Sequence, residues 1–204
     1  MERLEEFAVI IGAPGRGKTT TEVNVIQQKL KVDERTIVVV PDQSEKAWYP
    51  YYPVINADKL EKDFDVNFTG VKIIEYEEKS TFPFLYDLLE KGIIKDLNIV
   101  LDDPFYVEEG RPEKELMRII KRRRQYSIDV FTTAHDFDNI PKAFFTYLTV
   151  FGLMYTSAPI INRVKQVSEG ILQHKKEIDK IANVPFGHPN YHYIRWFKLD
   201  GTLL

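Results

Sequence analysis

Short blocks of β-branched and apolar residues alternate with longer amphipathic stretches along this chain of 204 residues. Residues 7–11 (FAVII), 36–40 (TIVVV), 71–75 (VKIIE), 97–101 (LNIVL) and 128–133 (IDVFTT) lack strict apolar–polar alternation. Strands read this way when both of their faces are covered. Between the blocks, residues 20–30, 81–91 and 112–126 carry helical patterning, and the second of these stops at Gly92. Beyond Tyr147 the pattern predicts another strand, helices near 159–167 and 171–182, a strand at 191–199, and a hairpin at Asp200-Gly201. Strand–helix alternation of this kind predicts an α/β fold of three layers, with a mainly parallel central sheet flanked by helices. No repeat, low-complexity tract or Gly/Ser linker interrupts it. The expectation is a single domain over 1–204, with a core at about 7–156 and C-terminal helices and hairpin at about 157–204.

Composition narrows the function classes. With 28 Lys+Arg against 31 Asp+Glu the formal net charge is −3. A nucleic-acid contact would therefore have to come from a local patch. The absence of cysteine excludes disulfides, thiolate metal sites and Cys nucleophiles, and fits a reducing or hot compartment. No apolar run approaches the ~18–20 residues of a membrane span. The acidic start, Met1-Glu2-Arg3-Leu4-Glu5-Glu6, lacks the layout of a signal peptide, so an intracellular soluble protein is expected.

The first apolar block runs straight into Gly12-Ala13-Pro14-Gly15-Arg16-Gly17-Lys18-Thr19, which fits G-x-x-x-x-G-K-[ST]. Glycines let the backbone curl so that successive N–H groups aim at one phosphate, and the N-terminus of the following helix adds partial positive charge. Lys18 then reaches the β and γ phosphates, and the Thr19 hydroxyl ligates Mg²⁺. Together with Thr20, these residues make the candidate nucleotide-binding set, with ATP and Mg²⁺ as the expected ligand. No [NT]-K-x-D segment for reading guanine is present, and Asn56-Ala57-Asp58-Lys59 does not fit one.

The block LNIVL ends in Asp102-Asp103. Ligands of open α/β sheets lie beyond the carboxyl ends of the strands, which places Asp102 to hold Mg²⁺ and Asp103 to orient or deprotonate the attacking water. Glu75, at the end of its own strand, is a rival for the second role. The fifth strand ends near His135, whose side chain is a candidate contact for the γ-phosphate. On the helix before that strand, Leu116, Ile119 and Ile120 form an apolar stripe. Arg118, Lys121 and Arg122 point away from it as a solvated face or a sequence-blind contact to DNA phosphates. Arg123 falls within the stripe and Arg124 beside it, so their guanidinium groups need an anion or acceptor. The Trp48-Tyr49-Pro50-Tyr51-Tyr52-Pro53 run reads as a packed loop sooner than as a base-stacking surface. His188 and His192 are separated by a proline that spoils a two-histidine metal face.

GAPGRGKT, LNIVLDD and RRRQYSIDVFTTAHD, in this order and spacing, resemble the FtsK–HerA superfamily of DNA-pumping ATPases. The resemblance covers most of residues 7–156. It puts Arg124 at the family's arginine and His135 where the family has glutamine. The compact chain looks like the genome-packaging ATPases of membrane-containing icosahedral viruses. That resemblance implies a RecA-like P-loop NTPase that hydrolyses ATP to ADP and phosphate and drives double-stranded DNA into a preformed capsid. It further implies a homo-oligomeric ring, assembled on capsid or DNA, with capsid vertex proteins as partners. The corresponding location is the host cytoplasm, in association with the virion or procapsid. The competing classes are a P-loop small-molecule or nucleotide kinase, in which the basic residues at 118–124 would clamp phosphates, and a nucleotide switch that barely turns over.

Overall fold

The computed structural model describes residues 5–30, 35–41, 48, 54–56, 59–78, 80–102, 107–108, 111–158 and 167–204. Its elements in chain order begin with β1 (Phe7–Ile11), α1 (Lys18–Leu30), β2 (Arg35–Val40), β3 (Val54–Ile55), α2 (Leu60–Asp63), β4 (Val71–Glu75) and α3 (Thr81–Glu90). They continue with β5 (Leu97–Leu101), β6 (Val107–Glu108), β7 (Arg111–Pro112), α4 (Lys114–Tyr126), β8 (Ile128–Ala134), β9 (Val150–Leu153), α5 (Glu169–Ala182) and β10 (Arg195–Lys198). Eight strands form one sheet in the order β10-β9-β1-β8-β5-β2-β4-β3, while β6 and β7 pair separately. Every pairing in the main sheet is parallel except β10 on β9. This is the expected three-layer α/β architecture.

Alternate residues of the buried strands feed two cores. On one face Ala8, Val38, Val40, Ile73, Val100 and Phe131 pack with Val23 and Ile26 of α1 and with Trp48. On the other, Phe7, Val9, Ile37, Val39, Ile99 and Val130 pack with Phe82 and Leu85 of α3, Ile119 and Ile120 of α4, and Ile171 and Ile178 of α5. Burying each such side chain contributes roughly 1.5–3 kcal/mol before the cost of ordering it. Coverage on both faces is why the strands read as continuous apolar blocks.

Several element boundaries differ from expectation. Helix α1 starts at Lys18, inside the glycine-rich turn. Helix α4 starts at Lys114, because Pro112 belongs to the β6–β7 pair. The last strand is confined to β10, since Pro189–His192 forms a 3-10 turn capped by the His188 ring, whose Nδ1 accepts from Asn190 N–H at 3.1 Å. The terminal hairpin is present: Gly201 has φ +90° and Phe197 bridges Leu203. The helix expected near 159–167 lies, but for its last residue, outside the described residues. No helix of the described residues is long and apolar enough to cross a membrane.

Candidate functional site

In the parallel sheet β1, β5, β2, β4 and β8 all end at one edge, and the loop leaving β1 is held there from both sides. Gly12 N–H donates to the Ala134 carbonyl at the end of β8 (3.0 Å), and Ala13 N–H to the Tyr155 carbonyl just beyond β9 (2.8 Å). Gly15 and Gly17 sit at φ +76° and +87°, a region open mainly to glycine. At Gly17 a side chain is doubly excluded, because a Cβ would lie 2.8 Å from His192 Nδ1. Intrahelical bonding in α1 starts with Thr21 N–H to the Gly17 carbonyl (2.9 Å). The N–H groups of Gly17 through Thr20 therefore lie ahead of the first intrahelical bond, as an anion cradle requires.

Side chains from three strand ends converge on this cradle. Lys18 Nζ is folded onto the loop, donating to the Gly12 carbonyl (2.9 Å) and to His135 Nδ1 (3.2 Å). The ammonium can only donate, so His135 Nδ1 is the acceptor in this contact. Thr19 Oγ1 donates to Asp102 Oδ1 (2.9 Å) across the intervening strand β8. The second carboxylate oxygen of the buried Asp102 accepts from Trp48 Nε1 (2.7 Å). Residues 49–53, the rest of the expected packed loop, lie outside the described residues, while Trp48 is a packed core residue and also a partner of the acid. Sequence reading missed that link, which only the spatial order of the strands creates.

The donor set of Thr19 hydroxyl and Asp102 carboxylate suits Mg²⁺, a hard cation that typically binds through one or two protein oxygens plus phosphate and water. Among the described residues no group of three or more His, Asp or Glu side chains could hold a metal alone. Mg²⁺ would therefore arrive with the phosphates. Asp103, the expected base, lies outside the described residues. Glu75 ends β4 at the same edge, but two strands from β5, or about 10 Å sideways.

Arg16 departs from expectation. Though part of the loop motif, it is buried and turned away from the cradle. Its Nη1 donates to the Ala182 carbonyl (2.9 Å) and the Tyr191 carbonyl (3.1 Å), and its guanidinium lies over the rings of Tyr191 and Tyr155 at 4.0 and 4.4 Å. The C-terminal segment, which sequence reading left without a role, is what holds it. Pro14, Gly15 and Thr20 are exposed around the cradle.

The arginines of α4 lie elsewhere. Strand β8 is seven residues long, so its start, where α4 ends, is about 20 Å from the phosphate loop. There Arg123 is buried, its Nε donating to the Glu5 carbonyl (2.8 Å) and Nη1 to the Ile120 carbonyl (3.2 Å). Burial lowers its pKa from the ordinary arginine value, an effect partly opposed by Glu5 and Asp129. Arg123 is therefore a structural tie between helix and first strand, and not a catalytic group of this subunit. Arg124 is exposed, although Arg123 and Tyr126 of the same last turn are buried. Arg122 does not stand free as a DNA contact: it pairs with Glu90 of α3 and donates to the hydroxyls of Tyr86 and Tyr126 (both 3.3 Å). Glu90 is held below the usual carboxylate range, chiefly by the Tyr126 hydroxyl. Arg118 and Lys121 are exposed, Arg118 beside Glu115 at 3.5 Å.

No protein-family model and no curated protein matches this chain. Solved structures do. The genome packaging NTPase of Sulfolobus turreted icosahedral virus 2, in complex with sulfate, superposes with a TM-score of 0.73 at 12% identity, over 99% of this chain and 94% of that one. The DNA-packaging ATPase from Sulfolobus turreted icosahedral virus does so with a TM-score of 0.63 at 14% identity, over 98% of this chain and 96% of that one. The pCW3 conjugation coupling protein TcpA in a complex with ATPγS gives 0.58 at 13% identity, over 98% of this chain and 59% of that one. From its phosphate loop to its C-terminal hairpin, the chain has the P-loop fold that these viral packaging NTPases have.

Proposed function

We propose that this chain is an ATP-hydrolysing motor that moves double-stranded DNA into a preformed viral capsid. The observation that carries the reading is the meeting of Lys18, Thr19, Asp102 and His135 at one sheet edge, with β8 inserted between β1 and β5. A fold shared along nearly the full length of viral packaging NTPases supports it.

In this reading the triphosphate takes the place of the Lys18 contacts. Lys18 swings from the Gly12 carbonyl to the β and γ oxygens, while the N–H groups of Gly17 through Thr20 hold the β-phosphate. Thr19 and Asp102 would hold Mg²⁺, which would supply charge neutralisation at the phosphates when bound. Asp103 directs water at the γ-phosphorus. Phosphoryl transfer is mostly positioning and charge stabilisation, so these groups suffice without a covalent intermediate. His135, released by Lys18, offers its Nε2–H or Nδ1 to the γ-phosphate and so senses its loss. Arg124, about 20 Å from its own cradle, acts in the neighbouring subunit of a ring. Arg118 and Lys121 contact DNA phosphates.

Displacement of a third strand from a DNA triplex tests movement directly. The motor should displace it with MgATP and fail to do so with a non-hydrolysable analogue. Hydrolysis without displacement, on DNA shown to be bound, would remove translocation from the reading.

A further inference from the structure

The C-terminal segment 186–192 packs against the phosphate loop, and neither phosphate nor metal chemistry accounts for it. The antiparallel pairing of Arg195 with Leu153 brings the residues before β10 to the ligand edge. There His192 Nδ1 donates to the Arg16 carbonyl (2.8 Å), and the Tyr191 hydroxyl approaches Gly15. Phe186, Tyr191 and His192 form a corner of near-perpendicular rings, with centroids 5.3 Å apart for Phe186–Tyr191 and 4.9 Å for Tyr191–His192. One face of Tyr191 is taken by Arg16. Phe186, by contrast, is 81% exposed, the most exposed large apolar side chain among the described residues.

We propose that this corner is the base subsite of the nucleotide site, with Phe186 as the stacking surface for the base of the bound nucleoside triphosphate. The inference rests on the phosphate-loop reading and extends it. Three observations favour a base over other occupants. The corner is fastened to the loop itself, since His192 donates to the Arg16 carbonyl and its ring centroid lies 6.5 Å from that of Phe186. The rings are flat and largely uncharged, suiting a heterocycle and not a phosphate. A single phenylalanine, the only exposed one among the described residues, is too small a surface to hold a protein partner. Stacking needs only a π face, so this subsite accepts adenine and guanine alike.

The test compares binding of MgATP, MgGTP and inorganic tripolyphosphate to the full chain and to Phe186→Ala and Phe186→Trp. Because Phe186 is exposed, truncation leaves the core intact. From typical base–aromatic stacking, Phe186→Ala should weaken ATP and GTP binding by roughly 5- to 100-fold. It should leave tripolyphosphate binding unchanged, and Phe186→Trp should restore the nucleotides. Unchanged ATP affinity in Phe186→Ala, with tripolyphosphate still bound, would overturn the base subsite and leave the phosphate loop standing. A wild-type chain that binds neither ATP nor tripolyphosphate would overturn the phosphate-loop reading, and the subsite with it.

Discussion

Lys18 donates to two carbonyls of its own loop and to His135. Its four-carbon stem lets the ammonium move to a developing negative charge without moving the backbone. Lys18→Ala should lower phosphate release by ~100-fold or more, with little change in folding, as removal of a transition-state charge partner does. Wild-type turnover in that variant would remove the assignment. The two adjacent acids separate in the same assay. Asp102→Asn should raise the Mg²⁺ requirement and lower hydrolysis together, because Asp102 already holds Thr19. Asp103→Asn should bind MgATP and not turn over. Glu75 is about 10 Å to the side, so Glu75→Gln should hydrolyse normally; the opposite pattern would exchange the two roles. The glycine-rich motif and the end of the LNIVL block singled out Lys18, Thr19 and Asp102 as candidates, and the structure brings them to one sheet edge. Neither could identify Trp48 as the second partner of Asp102, or Arg16 as a tie to the C-terminal segment. Both contacts join residues far apart in the chain through strand order, which no local pattern encodes.

At the scale of elements, α4 joins the two edges of the sheet and carries a different burden at each end. Its start, Glu113, accepts from the Tyr76 hydroxyl, yet burial holds its carboxyl above the usual range, with Glu78 and Glu115 adding to the rise. A carboxyl whose folded pKa is raised is costly to ionise in the folded state. Stability is therefore lost as pH climbs from the unfolded pKa through the folded one. Glu113→Gln, which keeps an acceptor for Tyr76, should melt higher than wild type at neutral pH. The gap should close below about pH 4, where the glutamate is protonated in both states. An equal gap at both pH values would point to packing instead of ionisation. The far end of α4 stops at Ser127, in the left-handed region at φ 53° with its N–H on the Arg123 carbonyl. The helix face was legible in the sequence for Leu116, Ile119, Ile120 and Arg123. It misled for Arg124, which the wheel sets at the flank of the stripe and the structure leaves exposed.

For the whole molecule, the separation of Arg124 from the phosphate loop by the length of β8 has a direct consequence. In the ring we propose, an arginine on this edge would reach a nucleotide across a subunit boundary, and an arginine supplied in trans typically contributes 10³–10⁵ in rate. Arg124→Ala should therefore hydrolyse poorly while binding nucleotide normally. Mixing it with Lys18→Ala chains should recover activity, since some interfaces then pair an intact loop with an intact arginine. Absence of recovery in rings shown to be mixed would return Arg124 to a structural role. The parallel sheet and its two cores were legible from five apolar blocks. The order of the strands was not, because pairing between distant segments leaves no mark on spacing. The central claim is that hydrolysis at this site is coupled to DNA, and phosphate release from MgATP with and without duplex DNA tests it most directly. The motor predicts turnover that requires Lys18 and rises severalfold with duplex DNA, falling again as salt strips the DNA contacts. Turnover indifferent to DNA but dependent on a small phosphate acceptor would contradict it and make the protein a phosphotransferase.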